Sequence, residues 1–146
     1  MGFSTTLWEW YGQDEHKRVL AVCEAIPALQ FLALPADSQR SAIPYCPACE
    51  AWSEMMLPLN EVLSICGSAM PTEIRTRLQA TWELCDNLAG AAFHCDDWFI
   101  FDHNDWTPIR TAAEELSGLM ELLEITPFLD DVLLDCRNAV RGIKRC

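Results

Sequence analysis

Phe93-His94-Cys95-Asp96-Asp97-Trp98-Phe99-Ile100-Phe101-Asp102-His103-Asn104-Asp105-Trp106 holds the one candidate β-strand of this chain, Phe99-Ile100-Phe101. A lone strand leaves its backbone donors and acceptors unpaired, and no other run alternates between apolar and polar residues with hairpin turns at its ends. The chain is therefore predicted to be all-α, a single-domain bundle of about five antiparallel helices over residues 1–146, with the quoted stretch as an aromatic-acidic connecting segment. A chain of 146 residues, half of them hydrophobic, suffices for one core.

Outward from that segment, helical periodicity is clear on both sides. Upstream, Pro71-Thr72-Glu73 opens a helix in which Ile74, Leu78, Trp82, Cys85 and Leu88 recur every three or four residues. Downstream, Thr107-Pro108 and Thr126-Pro127 read as an N-cap followed by proline at the first helical position. The first of these starts a stripe of Ile109, Ala112, Ala113, Leu116, Leu119, Met120 and Leu123. The second starts a stripe of Phe128, Leu129, Val132, Leu133, Cys136, Val140 and Ile143, with acids Asp130 and Asp131 in the first turn and Arg141, Lys144 and Arg145 near the end, as the helix dipole favours.

Nearer the N-terminus, Trp8, Trp10 and Tyr11 read as a hook laid over the core before Gly12, and a helix is expected from Asp14, its capping residue. Val19, Leu20, Cys23 and Ile26 form its stripe, with Pro27 kinking or ending it. Residues 35–47 read as a connector with a short turn at Asp37–Ser41. A further helix follows from Ala48 to Cys66, kinked at Pro58 and stopped by Gly67.

The net charge of −12 is concentrated in one region: Glu83 to Asp135 carries thirteen acids against Arg110 alone, and the rest of the chain balances nine against nine. Such a field disfavours nucleic acid, whose phosphates need clustered Lys and Arg, and repels anionic membrane surfaces. It attracts a basic protein or a cation. No apolar run is long enough to cross a bilayer, and the first residues lack the basic start and apolar core of a secretory signal.

Of the eight cysteines, Cys23, Cys66, Cys85 and Cys136 fall at apolar helix positions, where a reduced thiol packs as a small hydrophobe; a reducing cytoplasm is expected. Cys46-Pro47-Ala48-Cys49 is different. A C-x-x-C at a helix start lowers the first thiol's pKa and suits disulfide exchange or zinc. On a helix it resembles the AhpD-like thiol peroxidases over those four residues. That family places a His after the second Cys and a Glu upstream, where this chain has Ser53 and Ser38. Zinc needs a second ligand pair, and the adjacent His94 and Cys95 could supply it, although no established spacing rule joins them to Cys46 and Cys49.

Other chemistry finds no pattern. The acids around His103 lack the central Gly and twelfth-position Glu of an EF-hand, and no Glu-x-x-His precedes His16, His94 or His103 as a di-iron bundle requires. There is no G-x-S-x-G, no H-E-x-x-H and no glycine-rich phosphate loop. The sequence therefore implies a non-enzymatic protein with no cofactor that docks and neutralises a basic partner, as an immunity protein, antitoxin or nucleic-acid mimic does. Asp96, Asp97, Asp102, Asp105, Glu114 and Glu115 are the expected contact acids, and Trp98 and Trp106 the aromatic anchors. The alternative is a thiol redox or metal-binding protein built on Cys46 and Cys49.

Overall fold

A computed structural model describes residues 2–142, and among them there is no strand: the protein is all-α. Helix α2 (His16–Leu32) is its centre. Val19, Ala21, Val22, Cys23, Ala25, Ile26, Ala28, Leu29, Phe31 and Leu32 are all buried, leaving an exposed face of Lys17, Glu24, Pro27 and Gln30, and so wide an apolar surface must be covered on several sides. The cover comes from α1 (Phe3–Gly12), α5 (Leu57–Cys66), α7 (Trp106–Leu119) and α9 (Leu129–Val140). Helix α6 (Thr72–Asp86) lies outside, against α5 and α7. No helix among the described residues is long and apolar enough to cross a membrane.

Several elements differ from their sequence-based expectation. The N-terminal hook is a helix, α1, with Phe3, Leu7 and Trp10 turned inward at spacings of four and three. Asp14 does not cap α2; it lies in the left-handed region at φ 60°, and the helix starts two residues later without a side-chain cap. Pro27 neither breaks nor ends α2, which runs through it to Leu32. Burial of the segment on both sides of the proline outweighs the one backbone bond that the ring removes.

The short turn expected in the connector is α3 (Ala36–Ala42). The predicted 48–66 helix is one helical run of three parts: α4 (Pro47–Glu50), a wider π-helical stretch (Ala51–Met56) and α5. Pro58 accounts for the widening. Its ring cannot sit against the carbonyl of Glu54 in α-helical register, so the preceding turn opens.

Toward the C-terminus, α7 starts at Trp106 rather than at a Thr107 cap and ends at Leu119. Glu121 then takes the left-handed conformation at φ 54°, which rotates the following α8 (Leu122–Ile125) and leaves Leu123 86% exposed instead of in the stripe. The hydroxyl of Thr126 donates to Leu122 O rather than capping α9, and Phe128 and Val140 are exposed. The expected packing of Ile143 and the charges of Lys144 and Arg145 lie outside the described residues.

Two polar devices lock the ends of the helices. The Glu121 carboxylate accepts the Ser4 N–H and hydroxyl, both at 3.0 Å, at the start of α1. It lies so near Gly2 that a Cβ there would stand 1.8 Å from its Oε1. The second device is Gln39, which is fully buried. Its amide nitrogen donates to Phe31 O and Leu32 O at 3.2 and 3.3 Å, where α2 runs out of helical partners. Its amide oxygen accepts from Arg110 Nε and an Arg110 terminal nitrogen at 3.1 and 3.0 Å. Arg110 also donates to Phe101 O, so one side chain joins α7, α3 and the 3₁₀ turn Ile100–Asp102. Burial pushes the Arg110 pKa down, although the nearby Asp102 carboxylate opposes this.

Replacing Gln39 by leucine would remove the acceptor of two Arg110 N–H bonds and the side-chain donor to Phe31 O and Leu32 O, leaving the guanidinium with Phe101 O alone. The expected loss is about 2–3 kcal/mol in chemical denaturation. Asp37→Ala, which removes only one carboxylate of the exposed Arg40 pair, is expected to cost under ~1 kcal/mol.

Candidate functional site

Cys46 is the residue before α4, with Pro47 at the first helical position and Cys49 in the first turn. Local rules put these two thiols side by side. The third comes from across the fold. Trp52, in the π-helical stretch, packs against Trp82 of α6 and Phe93 of the connecting segment, with ring centroids 5.6 and 6.3 Å away. Phe93 in turn meets Trp106 at 6.4 Å, Trp106 meets Phe101 at 4.8 Å, and Phe101 meets Phe31 of α2 at 5.7 Å. This chain of rings carries the loop after Phe93 up against the start of α4. There Cys95 Sγ lies 3.6 Å from Cys49 Sγ, and the Sγ atoms of Cys46, Cys49 and Cys95 all fall within 4.8 Å of one another.

The three thiols are not equivalent. The backbone N–H of Asp96 donates to Cys46 Sγ at 3.3 Å, and Asp96 presents it from a left-handed conformation at φ 61°. That bond, and secondarily one from the Cys49 backbone, draw the Cys46 thiol below its ordinary range. Cys49 moves the other way, up to about 12, because it shares its proton first with Cys46 and then with Cys95. Cys46 is half-buried, and Cys49 and Cys95 are exposed. By contrast Cys23, Cys66 and Cys85 are buried in the core, and desolvation pushes each to about 12; Cys136 is buried and raised by the same cause. These four are packing residues.

Just before and after the cluster, His94 Nε2 lies 3.1 Å from Asp97 Oδ2, and the other Asp97 oxygen accepts the Phe99 N–H at 2.9 Å. Ser53, which stands where the peroxidase pattern has its His, donates to Cys49 O at 3.0 Å. It offers no proton relay of the imidazole kind. His16 and His103 are elsewhere, beside Asp14 and Asp105.

The expected docking residues do not form one free face. Trp106 is fully buried, with its indole N–H donating to Ala92 O at 2.8 Å; it is a core residue rather than an anchor. Trp98 and Phe99 are exposed at 42% and 62%, and the Arg40 guanidinium sits 4.9 Å above the Phe99 ring. Asp102 pairs with Arg40 at 3.2 Å, Glu115 with Arg77 at 3.1 Å, and Asp97 with His94. Asp105 accepts the Ala89 N–H at 3.3 Å and lies 3.7 Å from His103. Asp96 and Glu114 are exposed on the surface. Of the thirteen acids between Glu83 and Asp135, Asp102 and Glu115 are met in space by Arg40 and Arg77.

Compared with known proteins, the chain matches no family model, no curated protein and no solved structure.

The proton distribution has a measurable consequence. Between pH 7 and 9, Cys46 is expected to alkylate ahead of Cys49, because its pKa is lowered and that of Cys49 raised, while the buried Cys23, Cys66 and Cys85 stay protected. Peptide mapping after timed iodoacetamide pulses reads the order directly.

Proposed function

We propose that this is a metal-binding protein in which Cys46, Cys49 and Cys95 hold a soft divalent cation, zinc above all, as thiolates. The observation that carries this reading is the mutual approach of three sulfurs from two distant parts of the chain, all within 4.8 Å. Around tetrahedral zinc, with Zn–S near 2.3 Å, neighbouring sulfurs stand about 3.8 Å apart. The cluster is already close to that spacing, so little rearrangement separates the thiol form from a ligand set. A disulfide-exchange pair needs two sulfurs, whereas here a third joins them within 4.8 Å. The Asp96 N–H bond to Cys46 supports the same reading, since backbone donors to sulfur stabilise thiolate charge around a metal.

Zinc would displace the thiol protons, so affinity should rise with pH as ligand deprotonation becomes easier. Titration of the reduced protein with Zn²⁺ is expected to saturate at one ion per chain. Cys49→Ser and Cys95→Ser, both exposed positions, should weaken binding by about tenfold or more each while the helical circular dichroism is kept. At a free metal concentration a hundred times Kd, the native state should gain about 2.7 kcal/mol. Uptake unchanged by both substitutions would dispose of the reading.

A second reading is favoured by the exposure of Trp98 and Phe99 beside Asp96. In it this rim takes up a basic partner protein, the aromatics giving contact area and the carboxylates steering association. Inhibition of such a partner, as an immunity protein or antitoxin would achieve, would follow from covering its anion-binding cleft. On this reading, association with the partner slows with added salt, and Asp96→Lys together with Trp98→Ala abolishes a complex isolated from cells; a complex insensitive to both would contradict it.

A further inference from the structure

Three sulfurs leave one vertex of a tetrahedron to be filled, and zinc sites closed by protein take the fourth ligand from Cys or His. His94 precedes Cys95 in the chain, and its ring is already held in a way that recurs where imidazoles bind metal. Nε2 is 3.1 Å from Asp97 Oδ2, and Asp97 is itself fixed through its other oxygen by the Phe99 N–H. A neutral imidazole that donates Nε2–H to a carboxylate carries its lone pair on Nδ1, and a carboxylate partner of this kind orients a metal-bound ring and raises its basicity. Nδ1 lies 3.3 Å from the carbonyl oxygen of Cys95, the residue that bears the third thiol. His94 stands outside the group of ligand atoms within 4.8 Å of one another, so its ring must turn from that carbonyl to reach a cation held by the three sulfurs. The side chain is half exposed, which leaves room for that turn.

We infer that His94, through Nδ1, is the fourth ligand of the three-thiol site and that Asp97 is its positioning residue, giving a closed Cys₃His centre for zinc-like cations. The inference rests on the metal reading of Cys46, Cys49 and Cys95. A closed centre is structural: it ties the loop after Phe93 to the start of α4 and leaves no vertex for substrate.

Cobalt(II) reports both layers separately, because thiolate-to-cobalt charge-transfer bands count the sulfurs while the visible ligand-field bands follow coordination number and the fourth donor. Full-length reduced protein loaded with Co²⁺ under nitrogen is compared with His94→Ala, His94→Cys and Asp97→Asn. The expected result is tetrahedral ligand-field bands in the parent. In His94→Ala the charge-transfer bands persist while the ligand-field bands shift or weaken, and affinity falls about tenfold or more. His94→Cys restores a four-coordinate spectrum with added sulfur character, and Asp97→Asn weakens binding in the same direction as His94→Ala but by less. Unchanged affinity and ligand-field bands in His94→Ala overturn the role of His94 and leave the three-thiol reading standing. Absence of any charge-transfer band in the parent protein overturns both.

Discussion

The burial of α2 over most of its circumference, all but the face of Lys17, Glu24, Pro27 and Gln30, is the constraint from which the rest of the structure follows. Its ten buried side chains belong to no single stripe, so no one partner helix can cover them, and each Leu, Ile, Val or Phe left in water would forgo about 1.5–3 kcal/mol. α1, α5, α7 and α9 are held in place by that requirement. It also explains why Pro27 is tolerated in mid-helix: ending the helix there would uncover Ala28, Leu29, Phe31 and Leu32.

The same helix reaches the candidate site through two routes. At its C-terminal end, Phe31 starts the sequence of ring contacts that runs through Phe101, Trp106 and Phe93 to Trp52. Beside those rings, the carbonyls of Phe31 and Leu32 are answered by Gln39, and Gln39 by Arg110. Gln39 uses both of its donors and accepts twice, so a polar group with no solvent contact leaves nothing unsatisfied. The segment from Phe93 to Trp106 has little regular structure, and it is fixed by what its aromatic residues bury. That rigidity places Cys95 and the Asp96 N–H beside Cys46 and Cys49.

Charge tells a complementary story. The thirteen acids between Glu83 and Asp135 are contiguous in sequence, yet Asp102 and Glu115 meet Arg40 and Arg77 from the other half of the chain. These are partly exposed pairs worth little to stability. Their effect is local: each answers one carboxylate of the acidic region.

The all-helical class, the inward faces of α5 and α6 and the separation of packing cysteines from the C-x-x-C pair were legible in the sequence by itself, because period 3.6 and thiol context are local properties. Helix α1 was missed: Trp8, Trp10 and Tyr11 read as a hook, although Phe3, Leu7 and Trp10 stand at helical spacing. Two things were decided only by the tertiary structure. One was the fate of Trp106, since an aromatic next to acids has the same local sequence whether it faces water or the core. The other was the third thiol: Cys95 stands 46 residues from Cys49, and no spacing rule spans that distance. Only the stacked rings and the buried Gln39–Arg110 link bring the two together, through contacts between residues far apart in the chain.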